Sequence, residues 1–224
     1  MAAPSRNPIV TGTSVLAIKF DGGVVIAADT LGSYGSLARF RDIRRLVSVG
    51  NQTVVGASGD VADFHSMKDT LDELEVENRE YDDEHTIKPK AIFSFLTRVL
   101  YNRRSRMNPL WNSFVVAGVQ DGEPFLGTTD KVGVAFTEDT IATGYGAYIA
   151  LPLLRNALES NDGPLTRDQA VAEIEKCCKV LFYRDARSLN RYEVAVITAA
   201  GVEMFEPKAM ETDWSIATMV RGYE

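Results

Sequence analysis

Cysteine is almost missing from this 224-residue sequence, and the two that occur, Cys177 and Cys178, are adjacent. Neighbouring side chains on a helix diverge, so a strain-free bridge between them is excluded and a reducing compartment is predicted. Histidine is equally scarce: His65 and His85 fall in helical or polar loop settings without a second ligand nearby, which argues against a metal site. Basic residues are outnumbered, 24 Lys and Arg against 31 Asp and Glu. The resulting net charge of −7 excludes a general nucleic-acid binder, which needs a basic surface to displace counterions from phosphates. No stretch approaches the roughly 18 uninterrupted apolar residues of a membrane span. The opening MAAPSRNPIV also lacks the apolar region of a secretory signal. What remains is an ordinary globular composition, 45% hydrophobic, on a chain long enough to bury a sizeable core.

Apolar runs at 14–20 and 24–28 flank Asp21-Gly22-Gly23, a turn suited to a tight hairpin. Shorter strands are predicted at 46–49 and 53–57 across the turn pair Gly50-Asn51. From Val61 the period lengthens: Val61, Phe64, Met67, Leu71 and Leu74 mark one face of a helix. A second helix is predicted over 89–104, with Ile92, Phe95, Leu96, Val99 and Leu100 on one side. Strands return at 113–119, 124–127, 132–136 and 140–143, then two more helices. The last of these opens with Thr166-Arg167-Asp168-Gln169, a capping-box pattern. Strands at 192–198 and 202–205 lead to a tail from Pro207. Blocks of strands separated by pairs of helices predict an α+β fold, with antiparallel sheets stacked between helical layers. No repeat or linker marks a domain boundary.

Several residues admit two readings. Gly12-Thr13 before a strand is ordinarily a turn entering a β-branched residue. A threonine nucleophile needs a base, and its own α-amine serves only if the chain starts there. Asp29, closing the second strand, reads as a turn or cap residue or as an ion-pair partner for Arg45. Asp185 and Ser188 read as the finish of the last long helix, with Ser188 bonding local backbone. Arg103 and Arg104 suit a solvated helix end or, together with Trp111, a basic-aromatic subunit contact. In the tail, Ile216, Met219, Val220 and Tyr223 follow Trp214 at helical spacing. So short an apolar helix must dock on something.

GTSVLAIKFDGGVVIAADT, ASGDVADF and YRDARS resemble, in that order and at compatible distances, the β subunits of the proteasome. Those subunits are N-terminal-nucleophile hydrolases with a four-layer αββα sandwich. The likeness runs from Val10 to beyond Phe205. GSYGSLARFR, RRSRMNPLWN and ATGYGAY are similar to one non-catalytic subtype, the seventh β-position. The resemblance implies a short extension (residues 1–9), a β-type domain (10–206) and a C-terminal tail (207–224) that clasps neighbours. It also implies no cofactor, residence in cytoplasm and nucleus, no nucleic-acid or membrane partner, and contacts with α-ring subunits and β subunits of both rings.

Carried over residue by residue, the family's catalytic pattern matches at Gly12-Thr13, Asp29, Gly59, Asp185 and Ser188. It departs at two places. The lysine beside the nucleophile in active subunits corresponds to Arg45, whose guanidinium stays charged and cannot share a proton near neutrality. The serine of the family's Gly-Ser-Gly loop corresponds to Tyr145, a ring that must crowd the site or point elsewhere. The glycine pair that follows YRDAxS in the family is Leu189-Asn190 here, so that loop is expected to differ. The expectation is a non-catalytic, structural subunit. The alternatives are an active threonine endopeptidase using Thr13 after cleavage following Gly12, and a free-standing amidohydrolase needing the same exposed amine.

Overall fold

The computed structural model describes residues 7–83, 85–215 and 217. Its strands begin with β1 (Val10–Gly12), β2 (Val15–Phe20) and β3 (Gly23–Asp29). They continue with β4 (Gly32–Tyr34), β5 (Leu37–Phe40), β6 (Leu46–Val49) and β7 (Thr53–Asp60). Helices α1 (Val61–Glu80) and α2 (Pro89–Ser105) precede β8 (Asn112–Gln120), β9 (Glu123–Thr129), β10 (Ala135–Thr137) and β11 (Thr140–Ala142). Helices α3 (Gly146–Ile149), α4 (Leu151–Glu159) and α5 (Arg167–Arg184) lead to β12 (Tyr192–Thr198) and β13 (Gly201–Met204).

The strands form two antiparallel sheets. One runs β10-β9-β8-β7-β1-β4-β5, with β6 also on β7; the other runs β11-β2-β3-β12-β13. The period-two geometry of strands explains the apolar runs in β2 and β3, where both faces are covered. Val15, Ala17, Val24 and Ile26 face the first sheet and pack with Val54, Val115 and Leu126. Their neighbours Leu16, Ile18, Val25 and Ala27 face the other way, onto Ile174, Cys177 and Leu181 of α5. A third apolar layer joins Val55, Phe114 and Val116 to Phe64 and Leu71 of α1 and Ile92 and Leu96 of α2. The order helices, sheet, sheet, helices is the four-layer α+β sandwich expected above.

Three strands, β1, β4 and β5, were not predicted, and the predicted strand over 132–136 shortens to Ala135–Thr137. The shortening has a local cause: Asp130 accepts backbone bonds from Val132 and Val134, turning that segment. The capping box at Thr166 and Gln169 forms as expected. The start of the tail lies on the body, where Tyr192 and Lys208 exchange backbone bonds of 3.0 Å and the Asn190 amide clips both backbone groups of Met210. Among the described residues, no helix is long and apolar enough to cross a membrane.

Cys177 and Cys178 are buried free thiols. Burial pushes the Cys177 thiol up to about 12, and the Cys178 thiol is pushed up as well. Only the thiolate reacts with alkylating reagents. The native chain should therefore take up no iodoacetamide at about pH 8 and two equivalents once unfolded, as read by mass spectrometry. Rapid labelling without denaturant would show that the α5 packing is wrong.

Candidate functional site

Thr13 lies in the link between β1 and β2, where the chain crosses from one sheet to the other. The strand before it is interior. Gly12 pairs with Gly59 and Thr11 with Asp60 of β7, while on the other side Thr11 pairs with Ser33 and Val10 with Tyr34 of β4. Among the described residues the β4–β5 hairpin therefore pairs with its sheet only through β1. Ile9 extends the attachment by donating its N–H to Asp60 Oδ2 at 3.0 Å. In the uncleaved chain the nitrogen of Thr13 belongs to a peptide bond, its lone pair is delocalised, and it is no base. The Thr13 hydroxyl donates to Asp185 Oδ2 at 2.6 Å.

Beneath Thr13 sits Arg45, 1% exposed and the largest fully buried side chain among the described residues. A guanidinium has five N–H donors in a rigid fork, and here each has an acceptor. Nε donates to the Asp29 carbonyl at 3.1 Å. Nη1 donates to the carbonyls of Thr13 at 2.8 Å and Ala57 at 3.0 Å. Nη2 donates to the Ser14 carbonyl at 2.9 Å and to Asp29 Oδ1, completing an ion pair. The backbone of Arg45 is held equally firmly: its N–H donates to Glu193 Oε1 at 2.7 Å and its carbonyl accepts from Ala57 N–H at 3.1 Å. One residue thus ties β3 and β12 of one sheet to β7 of the other.

Gly12 makes room for this. A Cβ on Gly12 would overlap the Arg45 side chain, clashing with Cδ and lying 2.9 Å from Nε. Glycine at this position is therefore a packing requirement, independent of any cleavage.

The two acids of the site are fully engaged. Asp29 Oδ2 accepts from Leu189 N–H at 2.9 Å, so the carboxylate bridges Arg45 and the loop after α5. Burial pushes the Asp29 carboxyl above its ordinary value, against the pull of Arg45 and that N–H. Asp185 Oδ1 accepts from Arg187 N–H at 2.9 Å. Ser188 Oγ donates to the carbonyls of Asp185 at 2.7 Å and Leu181 at 3.1 Å, closing the end of α5. Both readings of Asp185 and Ser188 therefore meet here: they finish the helix, and Asp185 also reaches Thr13.

Gly59 has φ +95°, and a Cβ there would run into the Trp111 carbonyl, so only glycine fits. Asn112 holds the bend by donating to the Ser58 and Asp60 carbonyls. Asp60 then caps α1, accepting from Ala62 and Asp63 N–H. Tyr145 does not enter the site; the residue is 61% exposed at the rim of an open cleft lined by Thr13, Gly59, Trp111, Lys131, Tyr145 and Arg187. Three participants escaped the sequence reading. Ser14 accepts from Gly146 N–H at 2.8 Å, Asn112 shapes the bend, and Glu193 holds Arg45 and Leu46. Of these only Glu193, an acid inside the apolar run YEVAVIT, carried a visible signal. Burial pushes its carboxyl upward too.

The sequence profile described as proteasome subunit matches residues 9–197. The chain belongs to the proteasome subunit family. Proteasome subunit beta type-4 of Xenopus laevis is 55% identical over 226 residues, covering 100% of this chain and 93% of the relative. The Dictyostelium discoideum protein of the same name is 48% identical over 206 residues, 92% of this chain and 79% of the relative. Proteasome subunit beta type-7 of Saccharomyces cerevisiae is 44% identical over 229 residues, 98% and 86%.

On this proteasome β chain the expected docking residues are spread out. Arg103 is turned inward, its Nε donating to the Asn108 carbonyl at 2.9 Å, while Arg104 lies over the Tyr101 ring at 5.6 Å. Trp111 is covered by Lys131, whose Nζ is 3.6 Å from the ring centre. Trp214 packs edge-on against Tyr183 and Phe182 of α5. Ile216, Met219, Val220 and Tyr223 lie outside the described residues.

Removing the Arg45 fork strands a buried Asp29. Arg45→Ala should cost about 3–5 kcal/mol in urea unfolding. Arg45→Lys, with three N–H groups for five acceptors, should cost about 1–3 kcal/mol, and Gly12→Ala should destabilise as well. Tyr145→Ser, at an exposed ring, should change stability by no more than about 0.5 kcal/mol. An Arg45→Ala chain as stable as the parent would refute the role given to the guanidinium.

Proposed function

We propose that this chain is a non-catalytic structural subunit of the 20S proteasome core. It stands in a β-ring beside α-ring subunits and contributes to ATP- and ubiquitin-dependent protein degradation only indirectly, in cytoplasm and nucleus. The observation that carries this reading is the setting of Thr13. Its carbonyl is bonded to a guanidinium that has no free donor and that also binds the family's acid, Asp29. Freeing its nitrogen would cut β1 from β2 and loosen the strand through which the β4–β5 hairpin pairs with its sheet among the described residues. Arg45, permanently charged, supplies no proton shuttle in place of a lysine. Under this reading Thr13, Asp29, Arg45, Gly59, Tyr145, Asp185 and Ser188 are family positions kept for folding.

The second reading, an active threonine endopeptidase, draws on the 2.6 Å contact of Thr13 with Asp185 and on the open cleft beside it. A threonine-directed irreversible inhibitor separates the two. Applied to the assembled particle, it should modify other subunits and leave this chain's mass unchanged; an adduct on Thr13 would establish the active reading.

In the structural reading, residues 10–206 form the β-type body and the tail reaches a neighbouring subunit in the opposite ring. The basic-aromatic patch at Arg103, Arg104 and Trp111 serves a contact within the assembly. Because Asn190 and Tyr192 hold 208–210 and Tyr183 and Phe182 of α5 hold Asp213 and Trp214, the clasp is assigned to residues beyond Trp214. A chain truncated after Trp214 should fold normally yet leave half-assemblies unjoined on native gels; normal joining would remove the clasp.

A further inference from the structure

We infer that the β4–β5 hairpin is a docking surface for an acidic segment of an adjacent protein subunit. The inference rests on the structural reading proposed above. Every residue from 34 to 42 is exposed, so both faces of β5 and its outer edge lack cover. Such an edge is a template for association and is normally short of large apolar groups. Here Tyr34, Leu37 and Phe40 lie open on these strands and Ile9 lies open just before β1, Leu37 at 59%. The hairpin is also built in a fixed shape. Its pairing shifts between Gly32↔Phe40 and Ser33↔Ala38, which leaves Arg39 as a bulge residue. The bulge aims the Arg39 guanidinium over the rings of Tyr34 and Phe40, 5.5 and 5.2 Å from their centres. Arg187, next to the Asp185–Ser188 turn, donates to the Gly35 carbonyl and pins the hairpin tip to the body.

Charge decides the partner. Arg39 and Arg41 have no carboxylate within 4.0 Å among the described residues, although the chain as a whole carries −7. By contrast Arg44 and Arg191 nearby are paired, with Glu206 and Asp42. A bulge and charges also serve to protect an edge, but protection alone gives no reason to expose four large apolar side chains beside them. Two unmatched guanidiniums, one stacked on aromatic rings, present forks suited to carboxylates, with apolar side chains around them to exclude water.

A photo-crosslinking residue substituted for Leu37, in chains incorporated into whole particles, should link to a segment of another subunit rich in Asp and Glu. The double variant Arg39→Glu with Arg41→Glu should lower incorporation on the order of tenfold or more, since like charges would then face each other. Cross-links confined to this chain, or reaching a neutral or basic segment, would overturn the inference, as would unchanged incorporation of the double variant. If the parent chain itself enters no large assembly, the structural reading fails and takes this inference with it. If the parent enters normally and the double variant does too, only this inference fails.

Discussion

A single buried guanidinium organises the region where the two sheets meet. Arg45 is withdrawn from water, and an unpaired charge in that position would cost several kcal/mol. The fold meets that cost by turning four carbonyls and one carboxylate oxygen toward it, from Thr13, Ser14, Ala57 and Asp29. Because the fork is planar and rigid, those acceptors must be fixed before it fits, and once it fits they cannot move independently. The crossing from β1 to β2, the end of β3 and the middle of β7 are thereby locked to one another.

Much of the surrounding chemistry follows from that constraint. Gly12 has no side chain because the Arg45 stem fills the space beside it. Asp29 is committed to the guanidinium and to the Leu189 N–H. Glu193, a buried carboxyl with one oxygen on two backbone N–H groups, holds the segment that delivers Arg45 to its place. A site with the outline of a nucleophile, an acid and a glycine bend is in this way organised around a cation that donates every proton it can. The Thr13 hydroxyl donates to Asp185, and in the uncleaved chain its nitrogen is an amide, which is no base.

The longer elements were legible because burial on two faces writes itself into composition. The apolar runs of β2, β3, β8 and β12 and the helical stripes of α1, α2 and α5 needed no tertiary information. β1, β4 and β5 were not legible for the opposite reason. Val10-Thr11-Gly12 and Gly32-Ser33-Tyr34 are short and mixed, and β5 is exposed throughout, so each is a strand only because its neighbours pair with it. At the site, the replacement of a lysine by Arg45 and of a serine by Tyr145 was readable from the family pattern. The saturation of the guanidinium was not, because its acceptors come from segments up to 32 residues away and are backbone carbonyls in four cases out of five. Backbone acceptors leave no residue-type signature. The outward turn of Tyr145 was equally hidden, since it depends on the Gly144–Gly146 bend held by Ser14.

Whether the Gly12–Thr13 bond survives in the assembled particle is the most direct test of this account. Intact-mass analysis with amino-terminal sequencing of the chain from purified particles should recover Val10-Thr11-Gly12 joined to Thr13. A chain that begins at Thr13 would contradict it.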